Sequence, residues 1–136
     1  MGFLFENLRV YQRGLAFAEE IVRLTARPPK GSAETVDQLR RAAMSIPTNI
    51  AEGSGRKHAN DRNQFFWVAR GSTNECVVHL RLAVQLRVLS ESDYQRLRLT
   101  LEVIAKMLTK LIAVNTGNPQ QTSSAGTSAA NVVNRK

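Results

Sequence analysis

Apolar or small side chains return at alternating spacings of three and four along four separate stretches of this chain, a recurrence that fits helices. The stretches are Leu8, Tyr11, Leu15, Ala18 and Val22; Val36, Leu39, Ala43, Ile46 and Ile50; Phe66, Ala69, Thr73, Cys76, Leu80 and Ala83; and Leu97, Leu101, Ile104, Leu108 and Leu111. No stretch of similar length alternates with period two, so strands are not expected. The punctuation between the stretches agrees. In "RPPKGS", Pro28 and Pro29 stop the first helix near residue 26 and Ser32 is placed to cap the second. "GSGRKHAND" ends the second at Gly53 or Gly55, and Asp61 with Gln64 resembles a capping box for the third. Ser90 with Asp93 caps the fourth, while Leu89 and Tyr94 have the spacing of a hydrophobic staple. Helices are therefore expected over about 6–26, 33–54, 61–88 and 91–115. Long helices joined by short loops make neighbours antiparallel, so the expected fold is all-α, an up-down-up-down four-helix bundle spanning residues 1–115. Residues 116–136, "TGNPQQTSSAGTSAANVVNRK", are too polar to join a core and are expected to form a disordered tail.

The seams do not use all the apolar residues. Helix one carries a second stripe, Val10, Gly14, Phe17, Ile21 and Leu24, displaced by roughly a third of a turn at ~100° per residue. That stripe serves either the other bundle neighbour or another protomer. Met44 and Ala51 fall on the outward side of helix two, which suits association with a further copy.

Within "RRAAMSIPTNIAEGSGRK", residues 40–57, a proline interrupts an amphipathic helix. Pro47 cannot donate to the carbonyl of Ala43 and its ring crowds that carbonyl, at a cost of roughly 3 kcal/mol in a straight helix. The residues around it, Ala42, Ala43, Ser45, Thr48 and Asn49, are small or can reach freed backbone groups, so a bend is expected. Such a kink either wraps the helix around its own core or fits an interface between copies.

Charge narrows the class of partner. The chain has 19 Lys plus Arg against 11 Asp plus Glu, a formal net charge of +8. Residues 1–115 hold 17 basic and 11 acidic side chains, leaving +6, so the excess belongs to the folded part. A basic folded surface suits anionic partners such as nucleic acid. One cysteine, Cys76, excludes an internal disulfide, which suits a reducing cytoplasm. "MGFLFENLRV" lacks a basic region followed by a long apolar run, and Glu6 stands where a myristoylation signal needs Ser or Thr, so neither export nor a lipid anchor is expected. The uncharged stretch 111–134 is rich in Asn, Gln, Ser and Thr, and no membrane association is expected.

"LRRAAMSIPTNIAEGSGRK", followed by "FFWVARGSTNE" and a leucine-rich helix, resembles the four-helix bundle family encoded in 23S ribosomal RNA intervening sequences, a relative of the accessory variability determinant of diversity-generating retroelements. The likeness covers about residues 5–114, and its most specific pieces are Arg40–Ala43, Ser45–Gly53, Arg70–Ser72 and Glu75. It implies a protomer that assembles into a barrel-shaped homopentamer with a positively charged surface. It also implies a relative that binds nucleic acid and a reverse transcriptase. Tyr11 stands where a tryptophan is common in the family, and "ECVVHL" lacks a second acid after Glu75.

Catalytic constellations are sparse. A carboxylate-bridged metal pair needs Glu-x-x-His on two helices, whereas Glu75 and His79 are four apart and His58 lies in a loop. Cys76 reads as a small core residue, with His79 one turn away as the only conceivable base. "GSGRK" lacks the spacing of a phosphate loop and follows a helix. No cofactor, metal or enzymatic activity is expected. Pro47, Asn49, Glu52, Gly53 and Glu75 are taken as structural, with Arg41 or Arg70 expected to pair with Glu52 or Glu75. The nucleic-acid-binding candidates are Arg40, Arg41, Arg56, Lys57 and Arg62 around helix two and its following loop, with Arg81 and Arg87 on helix three. Few aromatics accompany them, so contact with phosphates is expected without base readout. Five copies at +6 each would carry +30 on their folded parts. The expected function is a basic, oligomeric bundle that binds RNA or DNA, as adaptor or chaperone for a nucleic-acid enzyme; the alternative is a protein-binding scaffold.

Overall fold

A computed structural model describes residues 2–117, and the expected tail lies outside them apart from Thr116 and Gly117. A short 3-10 turn, Leu4–Asn7, precedes α1 (Arg9–Leu24), α2 (Ala33–Ser54), α3 (Ala59–Gln85) and α4 (Glu91–Asn115), and no strand occurs among the described residues. Each helix touches its neighbour in sequence and α1 closes the ring against α4, while α1 and α3, like α2 and α4, do not meet. The architecture is a four-helix bundle.

The seams expected for α2, α3 and α4 point inward. Val36, Leu39, Ala43, Ile46 and Ile50 are buried on α2; Phe66, Ala69, Thr73, Cys76, Leu80 and Ala83 on α3; and Leu97, Leu101, Ile104 and Leu108 on α4. In α1 the core face shifts to the second stripe, with Ala18 the one member of the expected seam that is buried. Val10, Gly14, Phe17 and Ile21 are buried, whereas Leu15 and Val22 of the expected seam are exposed and Tyr11 is half-buried. Burying Phe17 and Ile21 removes more apolar surface from water than burying Leu15 and Val22 would, so the helix rotates to favour them. Pro47 is buried within an unbroken α2 and faces Gly14, where a Cβ would lie 3.0 Å from Ile46 Cγ2 and 3.6 Å from Pro47 N. The side-chain amide of Asn49 does not reach the carbonyl freed at Ala43; it donates to the Ser45 carbonyl at 2.8 Å and to Ser45 Oγ at 3.0 Å.

The helix ends follow local chemistry with some differences from the sequence reading. Ser90 Oγ accepts from the Asp93 N–H at 3.0 Å as expected. Ser32 is the N-cap of α2, but its hydroxyl donates backward to the Pro29 carbonyl at 2.6 Å. α3 starts at Ala59 behind His58, which leaves Asp61 in the first turn where a carboxylate complements the helix dipole. α1 starts at Arg9, because Leu8 is extended and the Gln12 amide donates to the Glu6 carbonyl at 2.7 Å. α3 ends early, at Gln85, in a Schellman turn: Val88 N–H bonds Ala83 O at 2.8 Å and Arg87 N–H bonds Val84 O at 3.0 Å.

That turn places Arg87 at φ +62°, a left-handed position usually occupied by glycine. Arg87→Gly should therefore stabilise the fold by about 0.5–1 kcal/mol, the left-handed penalty less the entropy of glycine. Thermal unfolding followed by circular dichroism should show a rise of a few degrees; a fall would contradict the strain.

Candidate nucleic-acid interface

The fold does not gather the sequence-predicted arginines into one patch. Arg41, near the middle of α2, and Arg56, in the loop after it, lie fifteen residues apart, about 22 Å at ~1.5 Å per residue. Arg56, Lys57 and Arg62 occupy the end of the bundle at the α2–α3 loop, while Arg81 and Arg87 lie toward the opposite end of α3.

Several of these guanidinium groups are committed within the protomer. Arg40 closes the C-terminal end of α1, its Nε donating to Thr25 Oγ1 at 2.8 Å and its Nη2 to Thr25 O at 3.1 Å. Arg62 ties three segments together, donating to Asn115 Oδ1 at 2.8 Å, Lys57 O at 2.7 Å and Arg56 O at 3.1 Å. Arg81 forms a two-pronged bond with Glu91, at 2.8 and 3.2 Å, and stacks 3.9 Å above the Tyr94 ring. Those contacts hold Glu91 below the usual carboxylate range, chiefly through the Arg81 hydrogen bond. Arg41 pairs with Asp37 at 3.0 Å, and Arg56 pairs with Glu52 at 2.8 Å while lying 4.7 Å over Phe65. Both pairs are solvent-exposed and worth at most about 1 kcal/mol, so they can exchange partners.

The expected pairing of Arg41 or Arg70 with Glu52 or Glu75 does not form. Glu52 finds Arg56 one turn along its own helix, and Glu75 is exposed with no ion pair among the described residues. Arg70 turns to Thr109 Oγ1 at 3.3 Å and Asn74 Oδ1 at 3.1 Å. Asn49 instead heads a chain of hydrogen bonds across the α2–α3 contact. Its amide donates to Ser45 Oγ at 3.0 Å, Ser45 meets Ser72 Oγ at 2.8 Å, and Ser72 donates to Val68 O at 3.0 Å. Since the single Ser72 proton goes to Val68, Ser45 is the donor between the two hydroxyls.

The cations with no partner form a different set from the predicted one and share only Lys57 and Arg87 with it. Among the described residues, the side chains of Arg9, Arg13, Arg23, Arg27, Lys30, Lys57, Arg87, Lys106 and Lys110 make neither an ion pair nor a hydrogen bond, although Glu6, Glu19, Asp61 and others remain in the chain. Charge balance counted by half-helix reveals four of them, Arg9, Arg13, Lys106 and Lys110, because α1 from Arg9 to Ala18 and α4 from Val103 to Asn115 contain no acid.

Two apolar surfaces are also left open. A groove of about 440 Å³ runs between α1 and α2, lined by Phe5, Tyr11, Leu15, Met44, Pro47 and Ala51, with the Phe5 ring edge-on to Tyr11 at 4.8 Å. Along α3, Trp67, Gly71, Val78 and Leu82 form an outward stripe in which Trp67 is 55% exposed.

A family model for the 23S rRNA-intervening sequence protein matches residues 6–110. The chain belongs to that family. The match takes in all of α1, α2 and α3 and most of α4, so the bundle is the family's domain. No curated protein matched the chain.

Among the described residues, no group of three or more His, Cys, Asp or Glu is placed to hold a metal ion. No helix among the described residues is long and apolar enough to cross a membrane. Cys76 is fully buried, and burial, with Glu75 next to it, pushes the thiol up to about 12. His79 Nδ1 is buried without a hydrogen-bond partner, so that nitrogen does not activate the thiol. Cys76 should be inert to iodoacetamide in the native protein at neutral pH and react once the chain is unfolded in urea. Because the folded thiol holds its proton more tightly, its contribution to stability is complete below about pH 9 and is lost between 9.0 and about 12. Rapid native labelling at neutral pH would contradict this burial.

Proposed function

We propose that this family member is a non-enzymatic, basic bundle that assembles with copies of itself and binds RNA or DNA through phosphate contacts. The bound nucleic acid would be presented to a cytoplasmic nucleic-acid enzyme, such as a reverse transcriptase, with the bundle as adaptor or chaperone. The observation that carries the reading is the surplus of nine unpartnered cations on a folded surface of net charge +6. Like charges held without partners repel one another, and a polyanion relieves that repulsion. The ribosomal RNA in the family's name agrees with such a partner. Arg87 supports it further, since a long cation is kept at a position where glycine would be less strained.

Assembly, as a barrel-like homopentamer, is supported by the two open apolar surfaces. Gly71 lies in the middle of the exposed α3 stripe with nothing within 4 Å of where its Cβ would be. A glycine there costs about 0.5–1 kcal/mol relative to alanine, and the close approach of a second chain would offset it. The groove and the stripe are different surfaces, so their contact would be head-to-tail, the kind that closes into a ring. A bend of α2 at Pro47 would shape the groove, which the proline itself lines.

The alternative, a scaffold that binds proteins only, is favoured by the same groove. Filter binding of a labelled RNA hairpin over a salt series separates the two. Phosphate binding predicts log K falling linearly with log salt, by about 0.7–0.9 per phosphate contacted. No retention at low salt would leave the scaffold.

A further inference from the structure

We infer that the main phosphate-binding surface is the side of the bundle formed by the N-terminal half of α1 and the C-terminal half of α4, through Arg9, Arg13, Lys106 and Lys110. This rests on the nucleic-acid reading above and locates it.

The placement follows from one contact. Arg96 of α4 bonds Glu20 of α1, which fixes the antiparallel register of the two helices. Arg13 and Arg9 lie seven and eleven residues before Glu20, two and three turns back on the same stripe at ~100° per residue, so both face α4. Lys110 lies fourteen residues after Arg96, about 40° from it around α4, while Lys106 lies about 80° from it on the outward side, where it also borders the groove between α3 and α4. All four side chains are exposed.

Local electrostatics argues that these charges serve something outside the protomer. Arg9 occupies the first turn of α1, where the helix dipole disfavours a cation, and that turn holds no acid. Arg9 with Arg13, and Lys106 with Lys110, are like-charge pairs four apart, each of which weakens its helix. The nearby acids are engaged elsewhere. Glu102, one turn before Lys106, is held by Arg98 at 2.8 Å. Glu6 accepts from the Phe3 N–H at 3.3 Å, in a turn that packs on α1 and α2. Four cations that destabilise their own helices and have no internal partner form a site for negative charge. The two pairs are each spread over about 6 Å of helix, and a nucleic-acid strand, with a phosphate every ~3.4 Å along its axis, can satisfy both. A protein partner would have to place separate carboxylates at each position.

The test compares two variants of equal net charge. One carries Arg9→Gln, Arg13→Gln, Lys106→Gln and Lys110→Gln; the other carries Arg23→Gln, Arg27→Gln, Lys30→Gln and Arg41→Gln. Binding of a labelled RNA hairpin and of a DNA duplex is measured across a salt series, with thermal unfolding of each protein alongside. The first variant should bind at least about tenfold more weakly than the second, and its salt slope on the duplex should drop by up to about 3.6, four phosphates at ~0.9 each. It should also melt no lower than the wild type, since like-charge pairs have been removed. Equal losses in the two variants, with wild-type binding intact, would overturn this site while leaving nucleic-acid binding in place. No binding by the wild type would overturn the reading beneath it as well.

Discussion

Gly53→Ala should destabilise the protein by about 2–3 kcal/mol, the largest loss expected from the addition of a single methyl group. α2 and α3 pack tightly at this residue: a Cβ would stand 2.8 Å from Phe66 Cε1, 2.9 Å from the Arg62 carbonyl oxygen and 3.0 Å from Phe65 Cβ. One of those neighbours is backbone, so no rotamer change removes the clash and the helices must separate. Separation would also loosen Arg62, whose three hydrogen bonds fasten the α2–α3 loop to the end of α4. Alanine's better helix propensity returns no more than about 1 kcal/mol. Urea unfolding should show the midpoint falling with an unchanged slope, and thermal unfolding a drop of roughly 10 °C or more. A neutral result would mean the two helices can separate at this point without loss.

The double change Leu15→Glu, Met44→Glu should disperse the proposed ring while the bundle stays folded. Both side chains line the α1–α2 groove, and Met44 is 54% exposed in the protomer, so neither supplies much of the core. Carboxylates tolerated by water on an isolated protomer would be unpaired charges inside an interface, where the penalty amounts to several kcal/mol. Repeated around a ring, that penalty should shift the mass to a single protomer with an unchanged helical circular dichroism spectrum. A persistent oligomer of the same mass would show that the groove is not the contact.

The sequence was most informative where one heptad stripe held nearly all the large apolar side chains. The seams of α2, α3 and α4 point into the core, although α3 also carries the outward Trp67, Val78 and Leu82. α1 offers two stripes of nearly equal hydrophobicity, and only the neighbouring helices decide between them; Phe17 and Ile21 won over Leu15 and Val22. The arginines were harder to read, because their partners are distant in sequence. The bond from Arg62 to Asn115 spans 53 residues and that from Arg40 to Thr25 spans 15, which no local spacing reveals. Glu52 with Arg56 is the opposite case, an ordinary pair four apart that the search for a buried network passed over. Arg9, Arg13, Lys106 and Lys110 were visible in the sequence as half-helices without acids, and the fold supplied what it lacked, the register that sets α1 against α4.

Native mass spectrometry of the protein mixed with an RNA hairpin at low salt tests assembly and phosphate binding together. The chain has a mass of 15.1 kDa, so the account predicts a species near five times that value with RNA attached. A lone protomer of 15.1 kDa carrying no RNA at micromolar concentration would contradict it.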